Sequence, residues 1–171
     1  LSGRKITDQL ILQISSTKQY HFLLLSIMGG EFVFRALKIA KVWKRFHCNT
    51  IIVAGGSFIT NHLSIRTYLW KKLPFDILVN GDGEWIMLEI LQKYSAPPDA
   101  PVLLEGYLGN LDELPDPCSY LSPKSYIAPL DGYLSGKRTF QITTSRGCPY
   151  NCIFCHQNSG VGKKRIGFMS P

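Results

Sequence analysis

Short segments that are apolar at almost every position alternate with longer, helix-like segments over residues 1–95. Glycine follows each short segment within two residues, and the segments lie at 20–28, 50–54 and 76–79. In the longer segments apolar residues recur every three or four positions, as in amphipathic helices. The predicted helices lie at 7–17, 31–46, 60–72 and 84–94. Strands without a polar face are typical of parallel sheets that helices cover on both sides. The pattern therefore predicts an α/β fold around a parallel sheet.

The glycines after the predicted strands lie where α/β proteins bind their ligands. In open parallel sheets, ligands bind beyond the carboxyl ends of the strands. Gly55 and Gly56 follow the second strand, and the turn 80–83 follows the third. Glycine has no Cβ atom, so it lets a flat and bulky ligand approach the backbone closely. The sequence thus predicts a binding site along this edge of the sheet.

Proline and glycine become frequent between residues 96 and 138. Seven prolines and four glycines interrupt this segment, which is typical of a connector. It divides the chain into an α/β domain at 1–95, a linker at 96–138 and the start of a second domain at 139–171. A short hairpin is predicted within the linker, around 103–108.

The composition indicates an ordinary globular chain with a moderate positive charge. Of its 171 residues, 45% are hydrophobic and 18% are charged, and the formal net charge is +7. Lys and Arg recur at helical spacing over 35–45, which is more typical of a solvated helix face than of a nucleic-acid site. No apolar segment is long enough to span a bilayer, and the N-terminus lacks a signal-peptide pattern.

Three of the five cysteines form the pattern Cys148-x3-Cys152-x2-Cys155. Cys thiolates hold iron–sulfur clusters, and short spacings let one loop bind several irons. A [4Fe–4S] cluster has four irons, so three local thiolates leave one iron open to a substrate or cofactor. Gly147 and Pro149 suit a loop that folds tightly around a cluster. The need for reduced thiols and the odd number of cysteines predict a cytoplasmic protein that works under low oxygen.

The same cysteines are open to a zinc interpretation. With His156 they would make a Cys3His set, which is one of the ligand sets of structural zinc sites. Zinc modules usually pair two ligand couples across a longer spacer, and no second couple follows Cys155. In this alternative the protein is a non-catalytic, flavodoxin-like binding module with a zinc-stabilised tail. Of the other two cysteines, Cys48 is predicted to pack in the first domain and Cys118 to lie in the linker.

The cysteine loop resembles the signature of the radical S-adenosylmethionine (radical SAM) superfamily. The resemblance includes Phe154, the aromatic residue before the last cysteine, and 142–149, which looks like the family's first barrel strand and the loop after it. It implies a [4Fe–4S] cluster on the three cysteines and S-adenosylmethionine on the fourth iron, with Phe154 beside these cofactors. It also implies that 139–171 begins a (β/α) barrel and that S-adenosylmethionine is cleaved reductively.

The preceding domain resembles the flavodoxin-like (Rossmann-like) cobalamin-binding domain of one radical SAM branch. The resemblance lies in the order of strands, helices and turns from SIMGG through AGGSF to VNGDGE. Two positions depart from the family pattern, because Met28 stands for Leu and Asp82 stands for Glu. The resemblance implies that cobalamin contacts the turns after the three strands. The implied contacts are Ser26, Met28, Gly55, Gly56, Gly81, Gly83 and Glu84.

Together the two resemblances imply a cobalamin-dependent radical SAM enzyme, of which this chain would be a fragment. The reactions they imply are methyl transfer and ring formation or rearrangement. They also imply a small-molecule substrate and an electron donor such as flavodoxin or ferredoxin. A fragment that lacks most of the barrel is not expected to be active alone.

Overall fold

The computed structural model describes residues 13, 19–62, 73–107, 110–115, 143–150, 152–155 and 166–170. The chain forms two compact units, Leu1–Tyr107 with Asn151–Gly162 and Leu108–Tyr150 with Lys163–Pro171. The first unit contains the α/β domain that the sequence predicts. The second contains short elements only, within its described residues.

A four-stranded parallel sheet forms the centre of the first unit. The order of the strands in the sheet follows the chain, and each neighbouring pair is parallel. The strands are β1 (Phe22–Ser26), β2 (Ile51–Gly55), β3 (Ile77–Gly81) and β4 (Val102–Gly106). Among the described residues, the helices in the crossovers between them are α1 (Gly30–Phe46), α2 (Ser57–Asn61) and α3 (Glu84–Lys93). The predicted α/β, Rossmann-like fold is therefore confirmed.

Apolar side chains cover both faces of this sheet. On one face α1 and α2 pack against the central strands, in a cluster that includes Ala36, Ala40, Trp43, Ile52, Ala54, Ile59 and Leu78. On the other face α3 packs, in a cluster of Ile51, Val53, Ile77, Val79, Ile86 and Ile90. Successive residues of a strand point to opposite faces. Because both faces are buried, β2 and β3 are apolar at nearly every position, which explains the sequence pattern.

Polar contacts tie α1 to the amino ends of β2 and β3. Lys44 Nζ lies 2.7 Å from Asp76 Oδ2 and donates to the Thr50 carbonyl oxygen at 2.9 Å. Asp76 Oδ2 also accepts a hydrogen bond of 2.7 Å from the Ile52 N–H. Thr50 Oγ1 donates to the Tyr20 carbonyl oxygen at 2.7 Å. These polar groups lie at the amino edge of the sheet, opposite the glycine turns, and they are hydrogen-bonded or paired with one another.

Strand β4 lies within the segment that the sequence assigns to the linker. Three prolines between 97 and 101 give this segment the look of a connector. However, Pro101 immediately precedes the strand, where its missing N–H removes no ladder hydrogen bond. β4 pairs with β3 in parallel, from Ile77↔Val102 to Gly81↔Gly106. The prediction of a hairpin at 103–108 is therefore wrong for this strand, which belongs to the central sheet.

Two smaller predictions are also corrected by the structure. The helix expected to start at Thr60 begins at Ser57, because Gly56 turns the chain directly from β2 into α2. Cys48 does not pack in the core but is exposed in the turn after α1. Apart from helical Gln13, the predicted helix at 7–17 lies outside the described residues, as do residues 63–72. In the described part of the chain, no helix is both long enough and apolar enough to cross a membrane.

The second unit has a two-stranded antiparallel sheet and a 3₁₀ helix among its described residues. The strands are β5 (Ser145–Arg146) and β6 (Gly167–Phe168). The 3₁₀ helix at Leu111–Glu113 is capped by the Asn110 side chain, which accepts from the Asp112 N–H at 3.0 Å. The Ser170 N–H donates to Asp112 Oδ1 at 2.8 Å and so links the end of β6 to this helix. Parallel barrel strands are not among the described residues of this unit, and the start of a barrel stays a prediction.

Candidate functional site

The carboxyl ends of the four parallel strands lie at one edge of the sheet. Ser26, Gly55, Gly81 and Gly106 are the last residues of β1 to β4. Ser26 pairs with Gly55, and Gly81 pairs with Gly106, so the strands end at matching levels. Residues that are up to 80 positions apart in sequence therefore share one edge. The structure thus brings together the turns that the sequence proposes as a binding site.

Gly55 and Gly56 join the end of β2 to the loop after β1. The Ile27 N–H donates to the Gly55 carbonyl oxygen at 2.8 Å, and the Phe58 N–H donates to the Ile27 carbonyl oxygen at 3.0 Å. Gly56 has φ +101°, and a Cβ there would lie 2.7 Å from the Ile27 carbonyl oxygen. At Gly55 a Cβ would lie 3.3 Å from Val79 Cβ. The fold itself therefore requires glycine at 56 and leaves little room for a side chain at 55.

Met28 is exposed at this edge, and two serine hydroxyl groups lie near its sulfur. Its side chain is 63% exposed, whereas the preceding Ile27 is buried. The thioether sulfur accepts from Ser26 Oγ at 3.7 Å, and Ser57 Oγ lies 3.9 Å from the same sulfur. Ser57 Oγ also donates to the Met28 carbonyl oxygen at 3.2 Å. Met28 thus presents a soft apolar surface at the edge, held by two serines.

The turn after β3 is fixed by three backbone features. Gly81 has φ +93°, and a Cβ there would collide with the Gly106 carbonyl oxygen. The Gly81 N–H donates to Thr60 Oγ1 at 3.0 Å. The Asp82 N–H donates to the Gly106 carbonyl oxygen at 2.8 Å. Gly106, which the sequence pattern assigns to the linker, is therefore part of this edge.

Gly83 differs from the other glycines of the edge. It is the N-cap of α3, with φ −93° and ψ −12°, angles that any residue can adopt. A Cβ built at Gly83 would have no atom within 4 Å. Glu84 follows as the first residue of α3, where a negative charge suits the helix dipole. The fold itself therefore leaves room for at least a small side chain at Gly83.

The described cysteines of the predicted cluster loop carry free thiols. Gly147 has φ +88°, so the chain turns sharply just before Cys148. The Cys155 N–H donates to the Cys152 carbonyl oxygen at 3.0 Å, which closes a turn over the two residues between them. Cys152 is exposed, whereas Cys148 and Cys155 are half-buried. Within the described residues no three His, Cys, Asp or Glu side chains form a group that could hold a metal ion.

Apolar side chains project into solvent beside these thiols. Phe154 is 89% exposed, and Ile153 is fully exposed. Cys148 belongs to the second unit, whereas Cys152 and Cys155 belong to the first. The donor set, three free thiols at short spacing, has the chemistry that an iron–sulfur cluster requires. His156 and Cys118 lie outside the described residues.

The known proteins most informative for this chain are methyltransferases and a cyclase. The chain is 30% identical over 157 residues to an uncharacterised methyltransferase of Pyrococcus horikoshii, covering 79% of this chain and 31% of that protein. It is 31% identical over 148 residues to the cobalamin-dependent radical SAM methyltransferase TokK of Streptomyces tokunonensis, covering 74% and 21% respectively. It is 30% identical over 125 residues to the anaerobic magnesium-protoporphyrin IX monomethyl ester cyclase of Synechocystis sp., covering 64% and 23%.

The fold and the glycine-rich edge define an α/β domain of the ligand-binding, Rossmann-like class. With these relatives, the resemblance inferred from the sequence is confirmed: the chain belongs to the radical SAM branch that carries an N-terminal cobalamin-binding domain. The chain spans less than a third of the length of the curated relatives it matches. No protein-family model and no solved structure matches it.

Proposed function

We propose that the protein is a cobalamin-dependent radical SAM enzyme that transfers a methyl group or forms or rearranges a ring. The observation that carries this proposal is the Cys148-x3-Cys152-x2-Cys155 spacing, which follows in sequence a parallel sheet with a glycine-rich carboxyl edge. The names of the relatives support the reaction class, since they include methyltransferases and a cyclase. When bound, a [4Fe–4S] cluster, S-adenosylmethionine and cobalamin would together supply radical and methyl-transfer chemistry.

In this proposal the cysteine loop holds the cluster. The thiolates of Cys148, Cys152 and Cys155 would hold the cluster, and one iron would be left for S-adenosylmethionine. The positive φ of Gly147 lets the chain fold back just before the first ligand. Phe154 would lie beside the bound cofactors, because its ring is exposed next to the last ligand. Apolar side chains near a cluster limit its contact with water.

The carboxyl edge of the sheet holds cobalamin in this proposal. Ser26 and Met28 would contact it from the loop after β1, and Gly55 would contact it from the end of β2. Gly83 and Glu84 would border its other side, where the structure leaves open space. Gly56 and Gly81 would contact it through backbone atoms only, since both have positive φ and no room for a Cβ. These seven residues remain the proposed cobalamin contacts.

The proposed chemistry needs partners and surroundings of a particular kind. Reductive cleavage of S-adenosylmethionine requires one electron at a time, which a flavodoxin or ferredoxin could deliver to the cluster. The substrate would be a small molecule. Free thiols and an oxygen-sensitive cluster fit a reducing, low-oxygen compartment such as an anaerobic cytoplasm.

Metal and sulfide analysis tests the proposal. The full-length protein would be purified and reconstituted without oxygen, because this chain covers only part of its relatives' length. About four irons and about four sulfides per chain are expected, as in a [4Fe–4S] cluster. One zinc without sulfide would overturn the proposal and favour the alternative of a non-catalytic module with a zinc-stabilised tail.

A further inference from the structure

The short helix α2 contacts both the loop after β1 and the turn after β3. At its start, Ser57 Oγ donates to the Met28 carbonyl oxygen at 3.2 Å. One helical turn later, Thr60 Oγ1 accepts from the Gly81 N–H at 3.0 Å. Residues three apart lie on the same face of a helix, about one turn apart along its axis, so one helical turn reaches both loops. Hydroxyl groups of a five-residue helix thus join the loops after β1 and β3.

The contact of Thr60 with Gly81 occurs where the chain changes direction. The positive φ of Gly81 turns the backbone away from β3 into the turn that ends at Gly83. Just beyond it, the Asp82 N–H is held by the Gly106 carbonyl oxygen at 2.8 Å. The side chain of Thr60 is therefore one contact that holds this turn from α2, while β4 holds it from the other side. Loss of the hydroxyl would leave the Gly81 N–H without its acceptor.

We propose that Thr60 and Ser57 are positioning residues of the corrinoid site. They set the turn at 81–84 and the Met28 loop at the distances that the bound corrinoid requires, without having to touch it. This inference rests on the proposed function. It goes further by assigning roles to two hydroxyl groups that the family resemblance in the sequence does not include. It also explains why a helix as short as α2 carries a hydroxyl group at its first and fourth positions.

Cobalamin titration of four variants tests this inference in the full-length protein. Thr60→Val removes the acceptor, Thr60→Ser keeps it, and Ser57→Ala removes the donor to Met28. Thr50→Val is the matched control, because it breaks a hydroxyl hydrogen bond of 2.7 Å at the amino edge of the sheet. Each protein is titrated anaerobically with hydroxocobalamin. The dissociation constant, the visible spectrum of the bound corrinoid, the iron content and the unfolding temperature are measured.

We expect Thr60→Val to raise the dissociation constant for hydroxocobalamin about tenfold, the effect of one lost hydrogen bond in a partly buried site. Its bound spectrum should differ from that of the wild-type protein, while the iron content stays unchanged. Thr60→Ser should bind like the wild-type protein. Ser57→Ala should weaken binding less, because its hydrogen bond is longer and exposed. Thr50→Val should lower the unfolding temperature and leave the dissociation constant unchanged.

Three results would overturn the inference. In the first, both Thr60→Val and Ser57→Ala bind hydroxocobalamin with wild-type affinity. In the other two, Thr60→Ser or the control Thr50→Val weakens this binding as much as Thr60→Val does. If Thr60→Val does not fold, the Ser57→Ala variant at the half-buried start of α2 decides alone. A wild-type protein that binds iron but no cobalamin would overturn the corrinoid assignment itself, and this inference with it. That result is distinct from wild-type binding that the variants leave unaltered, which would refute only the positioning role.

Discussion

At the scale of single residues, glycine has two different physical roles along the carboxyl edge of the sheet. Gly56 and Gly81 have φ values of +101° and +93°, and a Cβ at either position would collide with backbone atoms. Gly83 has an ordinary backbone conformation and open space where its Cβ would be. The first two are therefore required for folding, whereas at Gly83 only a bound ligand would exclude a side chain. The sequence could not separate these roles, because each glycine simply follows a strand.

A pair of alanine substitutions would separate the two roles. We expect Gly56→Ala to lower the free energy of unfolding by about 2 kcal/mol or more, since the residue has a strained conformation for a side chain and meets the Ile27 backbone. Gly83→Ala should change it by less than about 1 kcal/mol. Urea unfolding followed by circular dichroism measures both. Similar losses in the two variants would show that the backbone geometry does not distinguish them.

The cysteines give a second prediction at this scale. Serine at any one of Cys148, Cys152 or Cys155 should abolish the broad visible absorption of the reconstituted cluster, because two thiolates do not hold it firmly. Cys48 is the matched control, as it is exposed in the turn after α1 and lies outside the motif. Its serine variant should keep the absorption, and so should the Cys118 variant. Loss of the cluster on changing Cys118 would mean that the three-ligand assignment is wrong.

At the scale of elements, the contact of α1 with the amino ends of the strands gives a stability prediction. Asp76 accepts from the Ile52 N–H at 2.7 Å and pairs with Lys44 at 2.7 Å, and both charged groups are largely buried. Asp76→Ala should lower the free energy of unfolding by about 2–3 kcal/mol, because it removes the acceptor of the Ile52 N–H and the counter-ion of Lys44.

The exposed pair of Glu89 and Lys93, 3.8 Å apart on α3, is the matched control for Asp76. Glu89→Ala should cost less than about 1 kcal/mol, since solvent screens exposed ion pairs. Both variants are compared by urea unfolding of the same protein preparation. An equally small change for Asp76→Ala would show that the amino-edge contacts do not stabilise the sheet.

The elements also show how far the sequence alone reaches. Strands β1 to β3 could be predicted, because each is a short apolar run that is soon followed by glycine. For β2 and β3 this pattern reflects burial on both faces, whereas β1 is partly exposed. Strand β4 could not, because prolines precede it and its last two residues are Glu105 and Gly106. Its pairing with β3 depends on long-range contacts that local periodicity does not encode. For the same reason the sequence does not predict the roles of Ser57 and Thr60, whose partners lie on other loops.

At the scale of the whole molecule, the proposed cofactors bind to separate segments of the chain. The proposed cobalamin contacts lie on turns of the parallel sheet between residues 26 and 84, whereas the proposed cluster ligands lie between residues 148 and 155. The two cofactors depend on different residues and different chemistry. Cobalamin would need backbone turns that leave room for it, whereas the cluster would need thiolates. The loss of one cofactor should therefore be separable from the loss of the other.

Two single substitutions in the full-length protein, one aimed at each cofactor, test this separation. Gly83→Leu should remove cobalamin and leave the iron content unchanged, because its Cβ enters the space that the structure leaves open at the edge and its larger side chain would occupy the volume of the ligand. Cys152→Ser should remove iron and leave cobalamin bound. Gly83→Ala is the matched control, and its small methyl group should reduce cobalamin far less. Cobalt and iron are measured by mass spectrometry on the same samples after anaerobic reconstitution. Cobalt at the wild-type level in Gly83→Leu would place the corrinoid away from this edge, and the parallel sheet would then act only as a scaffold.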